Sequence, residues 1–208
     1  MARQEEIDFE EALKKFKRPF EPRYVFLFSG HMIDAPGRMP PRFPVDKEKI
    51  AAQAIAQTLE ELDAGPKDLA LCGGACGGDL LFAEACLKLS VRLQIRIPFD
   101  ETTFLKNSVT FAGGNWGDRY RAVKNNKLTT LFVMPEELGQ TPENTNSYER
   151  NNLWQLHTAL SVGPEKIRFI CLWDGKGGDG PGGTKHMHDS VKKRSGLVYV
   201  LDTNVLFK

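Results

Sequence analysis

Residues 69–85 read LALCGGACGGDLLFAEA. An apolar run, Leu69 to Cys72, passes straight into Gly73-Gly74-Ala75-Cys76-Gly77-Gly78. Asp79 then opens a stretch in which Leu80, Ala83 and Leu87 recur at helical spacing. A strand that feeds a glycine turn and then a helix is half of a β-α-β unit. Glycine permits positive φ and lets backbone N–H groups approach a ligand with no Cβ in the way. The helix that follows offers unpaired N–H groups and the positive end of its dipole, which suits a phosphate. The same glycines equally suit a tight strand-to-helix turn with close packing. The pattern is not the dinucleotide GxGxxG, and no Lys-Ser or Lys-Thr follows to make a P-loop.

The same alternation extends along the chain. Further apolar runs lie at Tyr24 to Phe28, Leu93 to Ile97, Leu128 to Met134, Ile167 to Trp173 and Leu197 to Leu201. Most lack strict alternation, as strands covered on both faces do. Asp46 to Leu62 sets Ile50, Ala54, Ile55, Leu59 and Leu62 along one stripe, with Asp46 placed to cap it. Asp79 to Leu89, Thr145 to Leu160 and Thr184 to Arg194 complete the helical set. This order predicts an α/β fold, a Rossmann-like three-layer sandwich around a mostly parallel sheet of about six strands. Residues 1–22 stand apart as an N-terminal helical arm, with Ile7, Phe9, Leu13 and Phe16 on one loose face and Pro19 and Pro22 ending it. An arm docked on the body or on a protein partner and a plain tail both fit that segment. Residues 23–208 form the expected nucleotide-binding domain.

Composition narrows the function. A chain of 208 residues makes one ordinary domain, or at most one domain with an extension. With 41% hydrophobic and 26% charged residues it is not mainly disordered. Lys and Arg total 28 against 27 Asp and Glu, a net charge of +1, which argues against a nucleic-acid surface. No apolar run is long enough to span a bilayer, so no membrane partner is expected. The opening MARQEEIDFEEALKKFK is too acidic and polar for a signal peptide, and the expected compartment is the cytoplasm. Cys72, Cys76, Cys86 and Cys171 lie in or beside apolar stretches and read as buried free thiols. No metal site is expected: His186 and His188, two apart, face different ways on a helix, and Cys72 and Cys76 lack a partner pair. No cofactor motif is present, and no Ser sits in GxSxG.

In an open parallel sheet, ligands bind beyond the carboxyl ends of the strands, where strand order reverses. Ser29, Gly30 and His31 follow the first strand, and Gly73, Gly74, Ala75, Gly77, Gly78 and Asp79 follow the second. Pro98 to Glu101 follow the third and Pro135 to Glu137 the fourth. Asp174 follows the fifth, with Gly180 to Thr184 beyond it at another helix start. There Thr184 suits a cap, and Gly182 and Gly183 either admit a second anionic group or belong to a surface loop. Asp174 suits a ribose hydroxyl or merely ends its strand. His31 is either a contact or a loop histidine bonded to backbone. Arg119, with Trp116, Tyr120 and Arg121 before the fourth strand, either reaches a phosphate or lies on a solvated helix face. Tyr148, Glu149, Arg150 and Asn151 open the next helix at the same rim. Asp79, Glu84 and Asp100 are the carboxylates placed for acid–base work, although Asp79 also suits a helix cap.

Taken together, FLFSGHMID (26–34), PRFP (41–44), CGGACGGDLLFAEA (72–85), IPFDETTF (97–104) and the WxxRY of Trp116 to Tyr120 resemble the SLOG superfamily of bacterial Rossmann-like domains. That superfamily groups the Lonely Guy phosphoribohydrolases, DNA-processing proteins and nucleotide-sensing modules. The resemblance spans roughly 24–201, is carried mostly by the first-strand and glycine-turn motifs, and is weaker in the C-terminal third. It implies a nucleotide or nucleotide-derived ligand over the carboxyl rim. Ser29 and Gly30 match the residues after the first strand, and Gly73, Gly74, Ala75, Gly77 and Gly78 match the glycine turn. Arg119 resembles in placement the arginine before the fourth strand of the hydrolases. Those hydrolases carry PGGxGTxxE after that strand, whereas this chain has MPEELGQTPENTNSYERNN, and PGGT occurs one strand later.

The expectation is a domain that binds a nucleotide-like small molecule as a sensor or regulatory module. The alternative is a phosphoribohydrolase-type enzyme that cleaves the N-glycosidic bond of a nucleoside monophosphate, with Arg119 and a rim carboxylate. A third possibility is a scaffold without a ligand, whose N-terminal arm serves a protein partner or a second copy of the chain.

Overall fold

The computed structural model describes residues 20–134, 143, 146–177, 182–194 and 197–208. Six strands alternate with helices: β1 (Val25–Gly30), β2 (Leu69–Cys72), β3 (Arg92–Ile97), β4 (Thr129–Val133), β5 (Ile167–Trp173) and β6 (Val198–Asp202). They form one sheet in the order β4-β3-β2-β1-β5-β6, and every pairing is parallel. Each apolar run read from the sequence is a strand, shifted by at most two residues at its ends. This is a Rossmann-like α/β sandwich.

The helices are α1 (Glu48–Glu61), α2 (Gly78–Lys88), α3 (Glu101–Phe104), α4 (Trp116–Lys124), α5 (Ser147–Leu160), α6 (Thr184–Lys192) and α7 (Thr203–Leu206). A π-helical turn, Leu105–Val109, continues α3. The sheet is buried on both faces. Phe26, Phe28, Ala70, Cys72, Leu93 and Ile95 face a large core with α1, α2 and α4. Val25, Leu27, Leu71, Phe169 and Cys171 face a smaller one with α5 and α6. Central strands covered on both sides have no polar face to display, which is why their sequence shows no period of two. All four cysteines are buried free thiols, and burial pushes the pKa of Cys76 and of Cys171 up to about 12.

Some local readings are corrected. Asp46 does not cap α1: it lies in a 3-10 turn, Val45–Lys47, and the helix begins at Glu48 with no side-chain cap. Nor does Thr184 cap α6, because the N-cap is Gly183 and Thr184 is the first helical residue. At each of these starts another residue holds the N-cap position, Lys47 for α1 and Gly183 for α6. Residues 1–19 of the expected N-terminal arm and Pro135 to Glu137 fall outside the described residues, as do Gly180 and Pro181. Among the described residues, no helix is long and apolar enough to cross a membrane.

Candidate functional site

Strand order reverses at β1. From β1 the chain moves out through β2, β3 and β4, then returns to the other side of β1 for β5 and β6. Connections diverge from that point and leave a crevice at its carboxyl end. A cavity of about 390 Å³ occupies it. Ser29, Gly30 and His31 line it from β1, Gly73, Ala75 and Asp79 from the β2–α2 turn, and Gly182, Gly183 and Thr184 from the start of α6.

The glycine turn is built by packing as much as by a ligand. Gly77 has φ +84, and a Cβ there would lie 2.5 Å from the Ile33 nitrogen and 2.9 Å from the His31 oxygen. The Gly78 N–H donates to the His31 carbonyl at 3.0 Å. Gly77 and Gly78 therefore hold the loop after β1 against α2, and neither lines the cavity. Gly74, with φ +76, packs on the Ile95 side chain and does not line it either.

Asp79 occupies the place where an anion was expected. Its Oδ2 accepts the Ala75 N–H at 3.3 Å, and a Cβ on Gly73 would lie 2.8 Å from that oxygen. The turn thus cradles a carboxylate of its own chain. Burial nonetheless pushes the Asp79 pKa up to about 7, against the pull of the Ala75, Gly73 and Gly74 N–H groups. A carboxyl group poised near neutrality in a cleft makes Asp79 a candidate functional residue.

His31 is buried, and the Asp174 N–H donates to its Nε2 at 3.1 Å. The same nitrogen lies 3.4 Å from the Asp174 carboxylate Oδ1. Burial and then Arg42 lower the His31 pKa, outweighing Asp174. Asp174 itself does not line the cavity. Burial raises its pKa, but the Lys176 N–H, His31 and Arg42 more than reverse this and leave it low. Asp174 thus contacts His31, whose side chain belongs to the cavity wall.

Arg119 sits elsewhere. Its guanidinium makes two bonds to Glu84, at 2.7 and 2.6 Å, and one to Glu48 at 2.7 Å. It also stacks 4.1 Å over the Trp116 ring. It ties α4 to α1 and α2 and is not among the cavity residues.

Tyr148 and Asn151, expected at this rim, complete the walls together with Arg42 and with Asn152 and Gln155, which the sequence reading did not single out. Asp34 Oδ2 accepts the N–H groups of Arg42 and Phe43, both at 2.9 Å, folding residues 34–43 back so that Arg42 reaches the cavity. Tyr148, Asn151, Asn152 and Gln155 project from α5 at i, i+3, i+4 and i+7, one face of a helix. The Tyr148 hydroxyl lies 3.0 Å from Ser108 Oγ, and Asn152 donates to the Gly182 carbonyl at 2.6 Å. The signal for this wall was present: an amide-rich stripe in a helix whose other face is apolar. Among the described residues, no group of three or more His, Cys, Asp or Glu is clustered to hold a metal.

The fold and the crevice define a Rossmann-like α/β domain with a cavity at the topological switch point. No protein-family model and no curated protein sequence matches the chain. Among solved structures, a Moco carrier protein from Chlamydomonas reinhardtii is similar to it at 12% identity, covering 86% of this chain and 88% of that one, with a TM-score of 0.33. A second structure of the Chlamydomonas Moco carrier protein matches at 12% identity over 89% and 94% of the two chains, also with a TM-score of 0.33.

Proposed function

We propose that the chain is a SLOG-type domain that binds a nucleotide-like ligand across the carboxyl ends of β2, β1 and β5, as a sensor or regulatory module. The supporting observation is the chemistry of the two sides of the cavity. On the β5 side stand the first turn of α6 at Gly183 and Thr184, the Ser29 hydroxyl and the Arg42 guanidinium. Helix N–H groups, a hydroxyl and an arginine suit a phosphate. On the β2 side stand Asp79 and the amides of Asn151 and Gln155, which suit a hydrogen-bonding heterocycle. The two sides are two strand spacings apart, about 10 Å.

The reading as a binding module rather than a hydrolase rests on the sequence after β4, where the hydrolase motif PGGxGTxxE has no counterpart. The test is calorimetric titration of the full chain with nucleoside monophosphates and the matching nucleosides. Saturable binding in which nucleotides exceed nucleosides supports the reading. Equal binding of both puts the α6 terminus outside the site, and no binding of either overturns it.

A further inference from the structure

We propose, resting on the binding reading above, that the β2 side of the cavity selects a base presenting an N–H donor face, the N1–H and 2-amino edge of a guanine-type 2-aminopyrimidin-4-one. The inference comes from an imbalance of donors and acceptors. Asn151 and Gln155 are only 4% and 2% exposed. Asn151 spends its N–H on the Arg96 carbonyl at 2.8 Å, and its Oδ1 has no partner. Gln155 Oε1 has none either. A buried acceptor without a donor costs about 1–3 kcal/mol, so two on one cavity wall demand an explanation.

Asp79 supplies the third acceptor. Asp79 and Gln155 both stand beside Gly73: a Cβ there would lie 2.8 Å from Asp79 Oδ2 and 3.8 Å from Gln155 Nε2, the donor end of the amide whose other end, Oε1, is the unpaired acceptor. Asn151 and Gln155 are one helical turn apart on α5, and both line the same cavity as Asp79. A carboxylate and two carbonyl-type oxygens match three N–H donors on one edge. Guanine offers three, one at N1 and two on the 2-amino group. Adenine and cytosine offer only the two of one exocyclic amine, and both place a ring acceptor beside it, which would face the carboxylate. Hypoxanthine keeps N1–H and loses the amine. Pterins carry the same edge as guanine on a different ring.

The experiment is calorimetric titration of the full chain at pH 8 with GMP, IMP, AMP, guanosine and neopterin. The expected order is GMP first, with IMP and AMP weaker by about tenfold or more, because each leaves buried acceptors unpaired. Two variants test the assignment. Asp79→Asn turns an acceptor into a donor, so it should lose GMP and gain xanthosine monophosphate, whose C2 carbonyl replaces the amine. Gln155→Met, of similar volume, should shrink the preference for GMP over IMP, with melting temperature confirming the fold of both. AMP or IMP binding as tightly as GMP overturns the donor-face inference and leaves the nucleotide reading intact. Neopterin binding without guanosine or GMP supports the donor face and overturns the nucleotide reading. No binding by any of them overturns both.

Discussion

At the residue scale, Asp79 carries the clearest conflict between stability and function. Its pKa near 7 in the folded chain lies above the ordinary carboxylate value of 3.8. The folded state therefore holds a proton that the unfolded state has released between about pH 4 and 7, and stability falls as pH rises through that window. Above pH 7 the charged carboxyl is a full burden. The neighbouring Cys72 and Cys76 thiols do not titrate there, because burial holds them protonated. His31 shares the cavity, and burial lowers its pKa, so it too loses a proton as pH rises toward neutrality. Asp79→Asn should thus raise the melting temperature at pH 8 and change it little at pH 4, as thermal denaturation across pH would record. A variant no more stable than wild type at pH 8 would mean that the cradle's N–H groups fully compensate the charge.

Gly77 belongs to the same scale. A side chain there meets backbone at 2.5 Å and a φ of +84. Gly77→Ala should cost about 2 kcal/mol or more in denaturant unfolding. Gly78→Val is likewise a packing mutation, since its Cβ would meet the Phe28 ring at 3.1 Å and the His31 oxygen at 3.2 Å. The glycine run alone suggested N–H groups offered to a ligand. The neighbouring loop that consumes one of them is distant in sequence and invisible in the run itself.

At the scale of elements, Arg119 joins three helices through a fork of charged hydrogen bonds. Bonds of this kind contribute about 1.5–3 kcal/mol, less where solvent screens them. Arg119→Met should lower stability by roughly 1–2 kcal/mol on that basis and leave nucleotide affinity within about twofold. A large loss of affinity at unchanged stability would return Arg119 to the site. The start of α6 makes the complementary case. Removing the Arg42 charge in Arg42→Gln should weaken nucleotides far more than nucleosides, because only the former place a phosphate against the helix terminus.

At the scale of the whole molecule, a ligand that binds only the folded state stabilises it by about 2.7 kcal/mol at one hundred times its dissociation constant. For a domain of this size that is roughly 5 to 11 °C in melting temperature, at about 2–4 °C per kcal/mol. A nucleotide panel followed by differential scanning fluorimetry reads this directly, and a melting point unmoved by every nucleotide counts against the binding reading. The free thiols give an independent check on the fold. All four cysteines are buried with raised pKa values, so a thiol reagent such as DTNB should react slowly with the native chain and rapidly in denaturant.

The sequence by itself determined the architecture. Apolar runs such as Leu69–Cys72 and Ile167–Trp173 are strands because an uninterrupted apolar run has no solvent face to offer, a property local to the run. It also placed the candidate residues on one rim, since the residues after each strand of a parallel sheet share one edge. Tertiary structure alone decided which rim residues converge. Ser29 and Thr184 meet at 3.4 Å across 155 positions, and Arg42 arrives only because Asp34 closes its loop. It alone turned Arg119 away from the crevice and put a carboxylate in the glycine cradle. Those outcomes depend on pairings between distant segments, where each donor and acceptor is consumed by whatever neighbour the packing supplies.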